Sequence, residues 1–295
     1  MSTSTAQTTK VSASDFKSDL KPIWCPGCGD FGVLASLYRA LAEMELDPAT
    51  TVIVSGIGCS SRLPHFVSTY GFHSLHGRPL PVAMGVKLAN PELTVIAVGG
   101  DGDGFAIGAG HFPHAARRNV DITYLVMDNE IYGLTKGQVS PTSLFEQKAP
   151  STPYGNLEEP LNTLAFAIAS GASFVARGAS FNTKALTELI VQAVEHKGFS
   201  FVDALSPCVM FNNHQEEWKQ AVTDVAPDHD VTDKVRAFEL ALRGGFSLGI
   251  VYREERETLD QKYQALLARS KESSVAEMLE AFSARKGAAI GKPVT

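Results

Sequence analysis

Two sets of residues in this 295-residue chain have the types and spacing to do chemistry. The first is its four cysteines. Cys25-Pro26-Gly27-Cys28 sets two thiols two residues apart, while Cys59 lies in Gly58-Cys59-Ser60 and Cys208 in Pro207-Cys208. Few, grouped cysteines suit a metal or redox centre better than disulfides in a reducing compartment. Four thiolates are the usual complement of an iron–sulfur cluster or of structural zinc. Structural zinc draws most often on two close pairs, and only one pair is present. Spacing alone leaves both readings open, with unligated core cysteines a third.

The second set is built on glycine. An apolar run at 94–98 breaks into Gly99-Gly100-Asp101-Gly102-Asp103-Gly104, and a second at 122–126 leads into Met127-Asp128-Asn129-Glu130-Ile131-Tyr132-Gly133. Glycine amides let an anion approach closely. Magnesium takes oxygen ligands, commonly one or two from protein and the rest from phosphate and water. Asp101 and Asn129 fit that, each just past a strand, where open α/β sheets bind ligands. A dinucleotide fingerprint starting at Gly100 fails because its third glycine falls one residue early. An EF-hand starting at Asp101 fails because Phe112 stands where its last glutamate belongs. A plain glycine turn with a solvated aspartate is the remaining competitor, weakened by Asn129 at its distance.

The elements that must position these residues alternate. Strands are expected at 51–54, 94–98, 122–126, 172–176 and 200–205. Helices are expected at 31–45 (with Asp30 as N-cap), 105–118, 161–170 and 183–196. Residues 73–85 read as irregular because of Gly77, Pro79 and Pro81, and 141–160 as an ordered loop. This order predicts an α/β fold, a mostly parallel sheet with helices on both faces. Residues 1–20 are expected to form a flexible arm and 21–215 the main domain. Residues 216–295 are expected to form a helical C-terminal extension that contacts a partner. It would include a helix begun by Asp233 and ended by Gly244-Gly245, and another with capping-box spacing from Thr258.

Lysine and arginine total 26 against 32 acidic residues, a net charge of −6 that offers no support for nucleic-acid binding. No apolar run approaches the ~18 residues of a membrane span. The serine- and threonine-rich start has no apolar core and does not read as a secretory signal, so the expected location is cytoplasmic.

Gly100-Asp101-Gly102, followed at this interval by Asn129, resembles the thiamine-diphosphate motif of thiamine-dependent enzymes. The extended run Asn129-Glu130-Ile131-Tyr132-Gly133-Leu134-Thr135-Lys136-Gly137-Gln138 is similar to that of the β subunits of 2-oxoacid:ferredoxin oxidoreductases. So are Trp24-Cys25-Pro26-Gly27-Cys28-Gly29, Gly56-Ile57-Gly58-Cys59-Ser60 and Pro207-Cys208. The likeness covers residues 20–215 and implies the thiamine-diphosphate-binding fold.

The resemblance implies that Asp101, Asn129 and the Ile131 carbonyl hold Mg2+ on the diphosphate. Cys59, Ser60, His76, Gly100, Gly102, Asp103, Gly133, Leu134 and Thr135 would complete the cofactor's surroundings. Cys25, Cys28, Cys59 and Cys208 would ligate one 4Fe-4S cluster. The implied reaction is oxidative decarboxylation of a 2-oxo acid to acyl-CoA and CO2, in either direction, with coenzyme A as acceptor and electrons passing singly to ferredoxin. Glu130 neighbours the metal-site asparagine, so the glutamate that activates the aminopyrimidine would come from an α subunit, in a dimer of αβ units. Arg62 and Lys136 match positions that face substrate carboxylates, and two cations favour a dicarboxylic acid such as 2-oxoglutarate. Leu134 would wall the pocket. Pyruvate or broad specificity, a non-redox lyase with structural zinc, and a scaffold subunit binding no cofactor are the alternatives.

Overall fold

The computed structural model describes residues 11–269 and 274–284. The chain runs through α1 (Asp30–Glu43), β1 (Thr51–Ser55), a 3-10 helix (Ser60–Phe66), β2 (Tyr70–His73), α2 (Pro79–Ala89) and β3 (Thr94–Gly100). It continues with α3 (Asp101–Phe105), α4 (Phe112–Arg118), β4 (Ile122–Asp128), α5 (Thr163–Ser170), β5 (Phe174–Ala179), α6 (Thr183–Glu195) and β6 (Phe199–Leu205). Then come α7 (Gln215–Ala221), β7 (Val222–Asp224), α8 (Lys234–Leu242), β8 (Phe246–Arg253), α9 (Leu259–Arg269) and α10 (Val275–Ala284).

The strands form one sheet in the order β2-β1-β3-β4-β6-β5-β8-β7. Neighbours are parallel except β5 and β8, which run antiparallel. β1, β4 and β6 are buried along their whole length, whereas β2 at the edge of the sheet is exposed. Val95, Ala97, Tyr124 and Val126 enter one core with Phe105, Phe112, Phe199 and Phe201. Ile96, Val98, Leu125 and Met127 enter the other with Leu37 and Leu41 of α1 and Leu186 and Ile190 of α6. Strand alternation thus builds two cores from one run of sequence. Phe112 is fully buried, with the rings of Phe166, Phe199 and Phe201 at 5.2–5.3 Å. Truncating such a ring costs about 3–5 kcal/mol.

Three local expectations need correcting. Asp30 is not a cap. Gly29 holds that position, and Asp30 is the first helical residue, fully buried. Residues 79–89 are helical despite two prolines. Pro79 opens α2 and Pro81 lies in its first turn, where backbone N–H groups have no intrahelical acceptor to lose. The helix expected at 105–118 is two short ones, with the break at Ala106 (φ −92°, ψ −105°). The break lets the Gly77 loop pack directly on the Gly108 backbone, where a Cβ on Gly77 would meet the Gly108 nitrogen at 2.6 Å.

The N-terminal arm is docked over its described part. Phe16 is fully buried, and its carbonyl accepts from the Ser68 N–H at 2.8 Å while the Ser18 N–H donates to the Phe66 carbonyl at 3.1 Å. Residues 1–10 lie outside the described residues. Beyond residue 215 the chain adds β7 and β8 to the sheet before its last helices, and the compact unit runs to Asp260. Residues 261–295 form a second unit, whose described part is helical. No helix among the described residues is long and apolar enough to cross a membrane.

Candidate cofactor and cysteine sites

Parallel strands β1, β3, β4 and β6 end on one edge of the sheet, and the loops leaving them carry nearly every residue singled out above. Asp101 follows β3 directly and is buried. Its Oδ1 accepts from the Asn129 N–H at 3.4 Å and its Oδ2 from the Thr142 hydroxyl at 2.8 Å. Burial pushes its carboxyl upward, against those hydrogen bonds. Asn129 folds its own loop: its Oδ1 accepts from the Ile131 N–H at 3.1 Å, and Glu130 between them takes a left-handed φ of +55°. Asn212 Nδ2 donates to the Asn129 carbonyl at 2.9 Å and fixes the loop from the β6 side.

The Thr142 oxygen also lies 3.0 Å from Asp128 Oδ1. A hydroxyl has one proton and cannot donate to both carboxylates. Burial, with the charges of Asp101, Asp203 and Glu130, drives the Asp128 carboxyl well up. Glu130 is pushed up to about 8 by burial and by Asp101 and Asp203. It lines neither cavity described below.

Asp103 ties two loops together. Its buried Oδ1 accepts from the Ile57 N–H at 2.9 Å and the Gly77 N–H at 2.7 Å, and faces His76 Nδ1 at 3.0 Å. It therefore pins the loops after β1 and before α2 to the end of β3. Gly102 is required by a side chain as well: a Cβ there would lie 2.2 Å from the Tyr132 ring, whose hydroxyl donates to the Gly102 carbonyl at 3.1 Å. Neither Gly102 nor Asp103 lines the cavity that forms here. Cys59, Ser60, His76, Gly100, Asp101, Asn129, Ile131, Gly133, Leu134 and Thr135 all do. At about 330 Å³ it has room for a cofactor-sized group. Ile57, Gly58, Tyr132 and Gln138 complete the lining and carried no separate sequence signal.

A second cavity of about 250 Å³ is lined by Cys25, Cys28, Cys59 and Cys208 together, with Arg62 and Lys136. Cys59, Asn129, Gly133 and Leu134 belong to both cavities. Three contacts hold the cysteine segments to one another. Trp24 Nε1 donates to the Cys59 carbonyl at 2.7 Å, the Gly29 N–H to the Pro207 carbonyl at 3.1 Å, and the Ser206 hydroxyl to Asp30 Oδ1 at 2.6 Å. Gly27 turns the Cys25–Cys28 loop with φ +86°. A Cβ on Gly133 would stand 3.5 Å from Cys208 Sγ and 3.6 Å from Cys59 Sγ, so glycine leaves the sulfurs' side of the shared wall open.

All four thiols are free. Burial raises the Cys28 thiol far above its usual value and Cys59 to about 11, with Asp30 and neighbouring sulfurs adding to both. Such thiols stay neutral unless a cation compensates them, which is the electrostatic condition a bound metal cluster meets. Among the described residues no three His, Cys, Asp or Glu side chains converge as a ready-made metal site. A magnesium held by one carboxylate, one amide and one carbonyl would not take that form. Among the expected substrate contacts, Arg62 and Lys136 line the cysteine cavity and Leu134 the wall between the two. His65 packs near His73 at 5.3 Å, and His114 Nδ1 accepts from Arg117 at 3.4 Å; neither reaches the cavities.

Fold and site together define an α/β domain with a ligand cavity at the carboxyl edge of a parallel sheet and a cysteine-lined cavity against it. A family model described as "Thiamine pyrophosphate enzyme, C-terminal TPP binding domain" matches residues 56–204. A second model, for the C-terminal region of the pyruvate ferredoxin oxidoreductase β subunit, matches residues 208–267. The β subunit of 2-oxoacid:ferredoxin oxidoreductase 1 from Aeropyrum pernix is 50% identical over 200 residues, covering 68% of this chain and 63% of that one. The chain thus spans less than two thirds of that relative's length. The β subunit of 2-oxoacid:ferredoxin oxidoreductase from a Sulfolobus species is 45% identical over 249 residues, 79% of this chain and 82% of that one. A solved 2-oxoglutarate:ferredoxin oxidoreductase from Magnetococcus marinus, with 2-oxoglutarate, coenzyme A and succinyl-CoA bound, superposes with a TM-score of 0.90 at 44% identity. That match covers 94% of this chain and 97% of the other. The chain belongs to the β subunits of 2-oxoacid:ferredoxin oxidoreductases.

Proposed function

We propose that this chain supplies the cofactor-bearing half of a 2-oxoacid:ferredoxin oxidoreductase whose substrate is 2-oxoglutarate. The observation that carries the reading is the wall shared by the two cavities, where Cys59, Asn129, Gly133 and Leu134 face both. Thiamine diphosphate supplies the carbon nucleophile and electron store for decarboxylating a 2-oxo acid, and an adjacent 4Fe-4S cluster accepts the electrons singly.

Asp101, the Asn129 amide and the Ile131 carbonyl would hold Mg2+ against the diphosphate, with Ser60, His76, Gly100 and Thr135 around it. Gly102 and Asp103 act from behind, shaping the turn and anchoring the His76 loop. Cys25, Cys28, Cys59 and Cys208 would hold the cluster, and Gly133 leaves the space between cofactor and sulfurs free. Arg62 and Lys136 would bind and orient the substrate's carboxylates, with Leu134 excluding water from the reacting carbon. Two cations suit a dicarboxylate better than pyruvate, and the Magnetococcus structure holding 2-oxoglutarate supports the same choice.

Glu130 lines neither cavity, which supports an activating glutamate from a partner α subunit, the assembly being a dimer of αβ units. Ferredoxin and coenzyme A are the other partners, and the cytoplasm is the location. Residues 21–215 form the cofactor-binding part and 216–295 the part that contacts the partner.

The test is anaerobic ferredoxin reduction by the chain assembled with its α subunit, with coenzyme A and either 2-oxoglutarate or pyruvate. The proposal expects ferredoxin reduction that depends on coenzyme A, with kcat/KM higher for 2-oxoglutarate. Reduction with pyruvate alone would overturn the substrate assignment. Zinc without iron or sulfide in the active complex would favour the non-redox lyase.

A further inference from the structure

Asp30 lines neither cavity, yet it stands between two of the cysteine segments. It lies two residues past Cys28 and is fully buried at the start of α1. Its Oδ1 accepts from the Ser206 hydroxyl at 2.6 Å, and Ser206 lies two residues before Cys208. The Gly29 N–H, donating to the Pro207 carbonyl at 3.1 Å, makes a second tie beside it. The packing there is tight enough that a Cβ on Gly29 would meet the Ser206 backbone at 2.7 Å. Residues distant in sequence are thereby joined directly behind the thiols.

The tie needs an acceptor rather than an acid. Asparagine has the same shape and would accept from Ser206 equally well through its side-chain oxygen. A buried donor or acceptor that loses its partner is costly, so the pair resists separation and holds its two segments in one arrangement.

We infer that Asp30 is a positioning residue for the iron–sulfur group: through Ser206 it clamps the Cys28 and Cys208 segments onto one cavity. The inference rests on the proposed cluster.

The experiment uses the complex with its α subunit, reconstituted anaerobically, in four forms: wild type, Asp30→Asn, Asp30→Ala and Ser206→Ala. Iron and sulfide content, thermal unfolding and the rate of iron loss to a chelator are measured. Asp30→Ala and Ser206→Ala lose the clamp, and iron loss several-fold faster than in wild type is expected. Asp30→Asn keeps the acceptor, and wild-type iron loss is expected. The Ser206 variant decides the clamp even if Asp30→Ala does not assemble. Wild-type iron loss in Ser206→Ala, or iron loss in Asp30→Asn as fast as in the clamp-less variants, overturns the inference. A wild-type complex that takes up no iron overturns the cluster reading instead.

Discussion

The backbone N–H of Asn129 lies 3.4 Å from Asp101 Oδ1, so the loops leaving neighbouring strands β3 and β4 meet across one hydrogen bond. The carboxylate and the amide of the proposed magnesium site are thereby brought together by neighbouring strands of the sheet. Thr142 secures the other carboxylate oxygen at 2.8 Å.

Gly102→Ala is expected to damage the site without touching a ligand. The new methyl would arrive 2.2 Å from the Tyr132 ring, which is itself tied to the Gly102 carbonyl. Overpacking of this kind costs about 1–3 kcal/mol. Calorimetric titration should find weaker thiamine diphosphate binding, and thermal unfolding a lower Tm.

Asn119→Ala should destabilise the fold far from the cavities. Asn119 sits at a left-handed φ of +53° after α4. Its Oδ1 accepts from the Ser173 hydroxyl at 2.6 Å and the Phe199 N–H at 3.0 Å, and its Nδ2 donates to the Arg256 carbonyl at 3.0 Å. Losing these bonds and the tolerance of that backbone should cost about 2–4 kcal/mol in urea unfolding.

His196 should make stability fall on mild acidification. It is buried with Nε2 at 2.8 Å from the Ser173 hydroxyl, and burial lowers its pKa to about 4. The unfolded chain binds that proton at about 6.5, so between the two values the unfolded state holds more protons. Its contribution is complete above pH ~6.5 and lost as pH falls toward 4, up to about 3 kcal/mol. His196→Gln should flatten that part of the profile measured by unfolding across pH.

Lys136→Ala and Arg62→Ala should separate the two candidate substrates. Losing one charge-assisted bond to the distal carboxylate costs about 1.5–3 kcal/mol, or roughly 10- to 150-fold in KM for 2-oxoglutarate. Pyruvate has no second carboxylate, so at least one of the two variants should alter its KM far less. Equal losses for both substrates in both variants would contradict the dicarboxylate assignment.

Much of the fold was legible because buried parallel strands are unbroken apolar runs, and all seven residues of β4 are buried. The cysteines and Asp101–Asn129 could be singled out because their spacing is local, and the structure brings the four cysteines to one cavity and Asp101 and Asn129 to another. What escaped was set by tertiary contact. Pro79 and Pro81 look like breakers until their place in the first turn of α2 is known. Asp30 looks like a cap until Ser206, far along the chain, is brought against it. Thr142 lies in a proline-bounded loop with no periodicity, and nothing local marks it as the partner of Asp101. Nothing in the sequence shows that Asp103 ties the Ile57 and Gly77 loops, or that Gly102 packs on the Tyr132 ring.

The turn at Asp101 is proposed to hold a diphosphate through magnesium. Calorimetric titration of thiamine diphosphate into the αβ complex, with and without Mg2+, tests this in wild type and Asp101→Asn. Binding of one cofactor per chain is expected to require Mg2+ and to weaken at least tenfold in the variant. Equal affinity in the two proteins, or binding indifferent to Mg2+, would contradict it.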